Sequence, residues 1–341
     1  MATSTGGPDL PSLPELPRVA LLAGPTPLQP MPRLSAALGG RAELWIKRED
    51  LGPLAFSGNK LRNLEFLLGR ALENGADTVI TSGRRWSNHC RLTAAAGARL
   101  GLAVHVVVSG PPVEASANLR LMRELGATIH QAATDAREER ESLVEQVAAA
   151  AAAEGRRVSV LPVGGSSPVG AWGQVLAALE ALEQARAAGI QPSTIVLPSA
   201  TGGTQAGLIV GAAVGAAPGN RAATASVRVE GVAVHPDPAL RARIEGLVAS
   251  LSEMAGIEPP AEPVALDASW VGPGYGLPTA ASEEASGLLA RTEGILADPV
   301  YTAKGLAGLV AGMRAGALDG RQVIFWHGGG LPALFEPALG R

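Results

Sequence analysis

The sequence predicts an α/β protein whose sheets are open, twisted and mostly parallel. Three observations carry that expectation. Short runs rich in Val, Ile and Leu alternate with longer segments of helical period, the pattern of successive βαβ units. Several strand-like runs end in turns of Gly, Ser and Thr, with a helix starting directly after. The composition, 47% hydrophobic and 17% charged over 341 residues, gives apolar surface for buried sheets and length for two domains.

The elements follow in order. The first forty residues hold many prolines and read as an extended arm. "AELWIKRED" (residues 42–50) reads as a strand. A helical pattern begins at Lys60, with Leu61, Leu64, Leu67 and Leu68 as its apolar positions. Strands at 77–83, 102–108 and 127–132 alternate with helices at 88–100, 118–125 and 137–154, and "RVSVLPVGG" (157–165) closes this run. "GGSSPVGAWG" (164–173) is small and turn-rich and marks a crossing between domains. A helix over 169–188 leads to strand "STIVLPS" (193–199), a Gly/Thr turn and a further helix. Strand 226–234, helices over 238–255, 282–293 and 302–314, and strand "RQVIFWHGG" (321–329) complete the chain.

Composition excludes several classes. A net charge of −3 gives no basic surface for nucleic acid or an anionic membrane. The single cysteine, Cys90, permits no internal disulfide and fits a reducing cytoplasm; as a site residue it reads as packing. Five histidines without a close His/Cys cluster argue against a metal site. The N-terminal segment lacks a basic stretch followed by an apolar core, so no signal peptide is read. "GLIVGAAVGAAPG" (207–219) is too short and glycine-rich to span a bilayer and reads as a buried helix.

Four constellations carry chemistry. In "FSGNKLRNLEF" a lysine, Lys60, opens a helix, where the backbone already repels a cation. It is either a surface ammonium or an amine whose lowered pKa makes it a nucleophile and Schiff-base former. In "PSATGGTQAGL" a strand ends in a tight small-residue loop before a helix. This is a plain βα turn or a phosphate cradle, and it carries neither a Walker lysine nor GxGxxG spacing. In "SGRRWSNHCR", Ser87 and Asn88 stand at N-cap-type positions, where free amides could hold a carboxylate and Ser87 could move a proton. Arg84 and Arg85 read as solvated. The two tyrosines, Tyr275 in "GPGYGLP" and Tyr301 in "DPVYTAKG", read as core aromatics, as stacking partners for a ring or as acid/base groups. The run "WHGGG" at the end of the last strand lets a ligand approach the backbone. An activated lysine, a phosphate loop and ligand loops at strand ends together point to pyridoxal 5′-phosphate (PLP).

The motifs "SGNKLRNLEFLL", "SNHCRLTAAAGARLGL", "TGGTQAGL", "GYGLP" and "ARTEGILADPVYTAKGLAGL" resemble the tryptophan-synthase-β-like PLP enzymes (fold type II). Within them they resemble the D-cysteine desulfhydrase and 1-aminocyclopropane-1-carboxylate (ACC) deaminase group. The resemblance runs from "LWIKREDL" to "HGGGLPALF". It implies two domains, a large one of residues 1–59 and 172–341 and a small one of 60–171, with PLP in the cleft between them. It makes Lys60 the PLP lysine and Ala200, Thr201, Gly202, Gly203 and Thr204 the phosphate grip. Asn88 would bond the pyridine 3′-oxygen. Ser87, Asn88 and His89, with Trp86, Tyr275 and Gly328, would surround the substrate, and Tyr301 would lie against the ring. Lys60, Ser87, Tyr301 and Tyr275 are the catalytic candidates.

ACC deaminases carry Glu after the "DPVY" tyrosine and Leu after the final-strand histidine, where this chain has Thr302 and Gly328. A neutral hydroxyl at the pyridine nitrogen and the "SNH" triplet resemble the D-cysteine desulfhydrase branch. That branch usually has Thr at Gly328, Gln at Trp86 and Lys at Asn63. The implied activity is α,β-elimination from a small amino acid by a cytoplasmic homodimer. ACC deamination, β-replacement and a PLP-fold protein without turnover stand as alternatives.

Overall fold

The structure, a computed structural model, describes residues 13–110, 112–113, 116–217 and 227–337. Its first half runs β1 (Leu28–Pro30), α1 (Pro32–Ala37), β2 (Glu43–Arg48), α2 (Lys60–Glu73), β3 (Thr78–Arg84), α3 (Asn88–Leu100), β4 (Ala103–Ser109), α4 (Ala117–Glu124), β5 (Thr128–Gln131), α5 (Arg137–Ala153) and β6 (Val158–Val160). The second half runs α6 (Pro168–Ala187), β7 (Thr194–Ser199), α7 (Gly203–Gly215), β8 (Arg228–Ala233), α8 (Leu240–Ala255), β9 (Ala265–Asp267), α9 (Ala280–Glu293), α10 (Thr302–Arg314) and β10 (Gln322–His327). Short 3-10 turns lie at Val163–Gly165 and Leu331–Phe335.

Two sheets result. One has the order β1-β2-β10-β7-β8-β9, parallel throughout except for the antiparallel β1–β2 pair. The other, β5-β4-β3-β6, is wholly parallel. Central strands β3 and β10 are buried on both faces, and β10, with Val, Ile, Phe and Trp in succession, reads as a near-continuous apolar run. The α/β expectation is thus met, with helices against both sheets.

Helix α2 belongs to both packing systems. Leu61, Leu64 and Leu68 join Val79, Leu92 and Val106 in the core of the four-stranded sheet, while Phe66 packs with Trp172 of α6. Arg62 of the same helix reaches a buried ion network. It donates to Glu49 at 2.8 and 2.9 Å and to both oxygens of Glu180 at 2.8 Å, and Lys47 joins Glu180 at 2.5 Å. Burial opposes the Arg62 charge, but Glu49 and Glu180 more than offset it and hold the guanidinium above its ordinary value.

The segment after β10 returns to the four-stranded sheet. Glu336 accepts hydrogen bonds from the Ser116 hydroxyl and the Asn118 backbone N–H, both at 2.9 Å, at the start of α4.

Several expectations need correction. The proline-rich arm holds β1 and α1, and Pro32 sits at the helix start, where its missing N–H costs nothing. The rest of the described arm lies along α2, where Glu65 accepts from the N–H groups of Leu21 and Leu22 at 2.9 and 3.0 Å. A Cβ at Gly69 would stand 2.3 Å from the Pro17 carbonyl oxygen, so only glycine admits the arm there. Strand β9, three residues long, had no legible pattern. The turn-rich segment at 164–173 ends early, because α6 starts at Pro168. Its Gly173 is a helical residue, needed because a Cβ would fall 2.0 Å from the Arg62 carbonyl oxygen. The expected strand at 226–234 begins at a residue outside the described ones. The run at 207–219 is α7 as far as Gly215, with Ala216 and Ala217 past its end, and no described helix is long and apolar enough to cross a membrane.

Candidate active site

The turn before Lys60 lies flat on the carboxyl end of β10. Gly58 and Gly329 form an antiparallel bridge, and a Cβ on Gly329 would come within 2.7 Å of the Gly58 Cα. The Asn59 N–H donates to the Gly328 carbonyl at 3.1 Å. Lys60 is the first residue of α2, a helix with no acidic residue in its first turn and no side-chain cap. Burial pushes its amine down to about 8, and no described residue bonds it. This is the environment of a nucleophile rather than of a surface cation.

The phosphate-loop candidate faces that turn. After β7, Ala200 and Thr201 lead into Gly202, whose left-handed conformation (φ 88°) starts α7 without a side-chain cap. Its first backbone N–H groups are therefore free to meet an anion. Cβ atoms would stand 2.7 Å from Ile244 at Gly202 and 2.8 Å from Ser166 at Gly203, so the loop admits no side chains there. The Thr201 and Ser166 hydroxyls are 2.6 Å apart. The Asn59 amide donates to the Thr204 hydroxyl at 2.9 Å, which ties the loop to the residue next to Lys60. A free amine and an uncapped, glycine-lined anion cradle one side chain apart fit PLP.

The end of β3 supplies the third wall. Ser87 is the N-cap of α3, its hydroxyl accepting from the Cys90 N–H at 3.3 Å, while Asn88 is the first helical residue. His89 is buried, and burial reinforced by the nearby Lys60 charge lowers its pKa to about 3, so it stays neutral. One ring nitrogen meets the Thr81 hydroxyl at 3.0 Å, and Nδ1 has no partner. This buried nitrogen lies beside Gly165, where a Cβ would stand 3.3 Å from it. The Cys90 thiol is buried and pushed up to about 11, as a packing residue should be. Asn63 is fully buried, donating to the Gly165 carbonyl at 3.0 Å and accepting from Gln174 at 2.6 Å. Arg85 is not solvated as expected. It is 7% exposed, because its guanidinium lies 4.8 Å over the Trp86 ring, 3.7 Å from Glu336.

The tyrosines meet. Their hydroxyls are 2.5 Å apart, and Tyr275 packs edge-on against Trp86 and His235 at centroid distances of 5.6 and 4.8 Å. Burial, then the Tyr275 neighbour, raises the Tyr301 phenol well above its ordinary range, so it holds a proton rather than accepting one. Thr302 is buried, with its hydroxyl donating to the Gly329 carbonyl at 3.0 Å and its N–H to Asp298 at 2.9 Å. A Cβ on Gly328 would make only ordinary contact, 3.6 Å from Asn59, so a small side chain would fit there.

Three residues went unassigned in the sequence. Lys304, two positions after Thr302, donates to the carbonyls of Val271 and Gly274 at 2.6 and 2.9 Å and so holds the Tyr275 loop. Asp298 accepts the N–H groups of Val300, Tyr301 and Thr302 at 2.8 to 2.9 Å. Arg91 ends the quoted "SNHCR" run, yet nothing in that run reveals its partners.

The two sheets, the buried amine at the head of α2 and the glycine-lined cradle fit one class, an enzyme of phosphorylated-aldehyde chemistry. The chain matches the model of the pyridoxal-phosphate dependent enzymes over residues 19–329, and it belongs to that family. It is 40% identical over 331 residues to D-cysteine desulfhydrase of Salmonella choleraesuis (strain SC-B67), covering 95% of this chain and 97% of that one. The corresponding protein of Salmonella typhi is 39% identical over 330 residues, covering 95% and 97%. The crystal structure of an ACC deaminase homologue superposes with a TM-score of 0.85 at 33% identity, covering 94% of each chain. Threonine deaminase isoform 2 of Solanum lycopersicum, at 16% identity and a TM-score of 0.66 over 96% and 90%, shares the fold.

Proposed function

We propose that this chain is a PLP-dependent lyase that eliminates the β-substituent of a small amino acid, with D-cysteine desulfuration as the reference reaction. D-Cysteine and water would give pyruvate, ammonia and hydrogen sulfide. The observation that carries this reading is the unpartnered Lys60 amine, linked through Asn59 to the Thr204 hydroxyl of the uncapped loop. When bound, PLP supplies an aldehyde for the substrate amine and a ring that withdraws electrons from the α-carbon.

The chain's own residues do the rest. Lys60, with a pKa of about 8, is neutral often enough near neutral pH to take the α-proton. The backbone at Ala200–Thr204 holds the phosphate. The donors Ser87 and Asn88 receive the substrate carboxylate, with the neutral His89 beside them, and Trp86 and Gly328 shape the space around it. Tyr301, kept protonated and bonded to Tyr275, acts as the acid that meets the leaving group. Thr302 presents a neutral oxygen where an acidic side chain would hold a proton on the ring nitrogen, which favours elimination over cyclopropane opening.

Two domains, residues 60–171 and the remainder, would close on the substrate. The enzyme would act in the cytoplasm as a homodimer, without nucleic acid or membrane. Its exposed Leu51, Phe56, Leu296, Leu334 and Phe335 are apolar surface that a second copy would cover.

The test is a side-by-side assay of D-cysteine, L-cysteine and ACC for keto acid, ammonia and sulfide, with visible absorption recorded. Turnover of D-cysteine with sulfide release, and a visible band absent in Lys60→Ala, are the expected results. A colourless protein unchanged by added PLP would end the reading. Keto acid from ACC alone would move it to the deaminase branch.

A further inference from the structure

The three residues before Gly58 adopt a conformation that side chains avoid. Ala55, Phe56 and Ser57 have φ of 39°, 62° and 48°, a run of left-handed backbone without a glycine. Each such residue carries a steric penalty between Cβ and the carbonyl that follows, so the run persists only where its surroundings fix it. Within one chain the Phe56 side chain adds little to this restraint, being 56% exposed.

The Ser57 N–H donates to the Leu54 carbonyl at 2.6 Å, Leu54 and Ala55 pack on the core, and a guanidinium holds the turn's carbonyls. Arg91, on the second turn of α3, is fully buried, and burial lowers its pKa to about 10, against the opposing charge of Asp298. No carboxylate of the described residues pairs with it within ion-pair distance; its hydrogen-bond partners are neutral oxygens. Nη1 donates to the Ala55 carbonyl, Nη2 donates to the Ser57 carbonyl at 3.4 Å, and Nε donates to the Asn118 side chain at 3.0 Å. A left-handed turn points its carbonyls to one side, and the cation sits where they converge. Burying a cation on backbone oxygens is expensive for a merely structural contact.

The same guanidinium orients a site residue. Nη2 also donates to the Asn88 side-chain oxygen at 3.0 Å. That bond fixes which way the amide faces: its oxygen is engaged, and its Nδ2 donates to no described residue. The donor edge lies beside Gly330, where a Cβ would stand 3.0 Å from Nδ2. One side chain thus grips the turn that delivers Lys60 and the amide that borders the cleft.

The geometry points to Arg91 as a positioning residue that sets Lys60 and Asn88 together. This rests on the reading of Lys60 as the PLP lysine. Arg91 touches neither substrate nor cofactor; it acts through the 55–57 turn and the Asn88 amide.

The experiment compares three proteins as holoenzymes: the natural chain, Arg91→Met, and Arg91→Met combined with Ala55→Gly and Ser57→Gly. Glycine adopts positive φ without penalty, so it removes the strain that the guanidinium restrains. Two readouts are taken: the phosphopyridoxyl group on the Lys60 peptide after borohydride reduction at limiting PLP, and amide exchange over residues 55–60. Arg91→Met should lower trapping at Lys60 at least roughly tenfold, as expected for lost charged hydrogen bonds, and speed exchange over the turn. The two glycines should bring trapping back to within about threefold of the natural chain.

Unchanged trapping and exchange in Arg91→Met would overturn the proposal, as would a folded Arg91→Met that the glycines do not rescue. Should Arg91→Met fail to fold, Arg91→Lys with and without the glycines carries the same comparison. If the natural chain traps no PLP at Lys60, the cofactor reading fails, and the exchange data still decide whether Arg91 restrains the turn.

Discussion

Tyr275 and Tyr301, 26 residues apart in the chain, place their hydroxyl oxygens 2.5 Å from each other in a cluster with Trp86 and Val300. Only one of the two phenols can donate in that bond, so the other proton is available to a ligand. Burial keeps both phenols protonated. Tyr301→Phe should lower kcat for D-cysteine by about a hundredfold, the usual share of a positioned acid. KM and the visible absorption should hold steady. Steady-state kinetics with spectra of the same samples checks this.

The Lys60 amine makes a pH signature in the protein without PLP. Its folded pKa is about 8 against 10.5 when unfolded. Between those values the unfolded chain holds a proton that the folded chain lacks, so this group's contribution to stability rises with pH from about 8 and levels off above about 10.5. The gain is of order 2 kcal/mol, since the cleft keeps some contact with water. Denaturant melts of the natural chain and Lys60→Met across this range should diverge in that sense, with the difference flat below pH 7.

Lys304 holds the loop that carries Tyr275 by two carbonyls. In Lys304→Met those buried oxygens lose their donors, at a cost of about 2 kcal/mol. The kcat should fall to the level of Tyr275→Ala, and the double variant should be no slower than either. An additive double variant would show that Lys304 does not work through Tyr275.

Arg62 joins α2 to Glu49, the residue after β2 of the six-stranded sheet, and to Glu180 of α6. Arg62→Met leaves Glu49, almost fully buried, without its cation, and should cost about 3–5 kcal/mol in denaturant unfolding. Adding Glu49→Gln should recover part of that loss, because the orphaned charge disappears with it.

The periodic elements were legible because their signals are local. The helix over 302–314 falls on the same residues as α10, and Lys60 opens α2 as its position suggested. Strand β1 and helix α1 escaped notice because prolines suit an extended arm equally well, and β9 is too short to show a period. The quoted site motifs converge in space, but the side chains that support them were silent. Arg62 meets Glu180 across 118 positions, and Lys304 meets Val271 across 33. Nothing near Arg85 or Arg91 in the sequence tells that both are buried. Burial of a charge is decided by distant partners, which one-dimensional patterns do not carry.

The carboxylate of Glu336 acts as a latch. It belongs to the segment that leaves the six-stranded sheet, yet it closes the amino end of α4 beside the four-stranded one. Any motion that parts the sheets must first pull these bonds open. The carboxylate thus ties the residues after β10 to the amino end of α4, and Glu336→Gln should loosen that helix start before it unsettles either sheet.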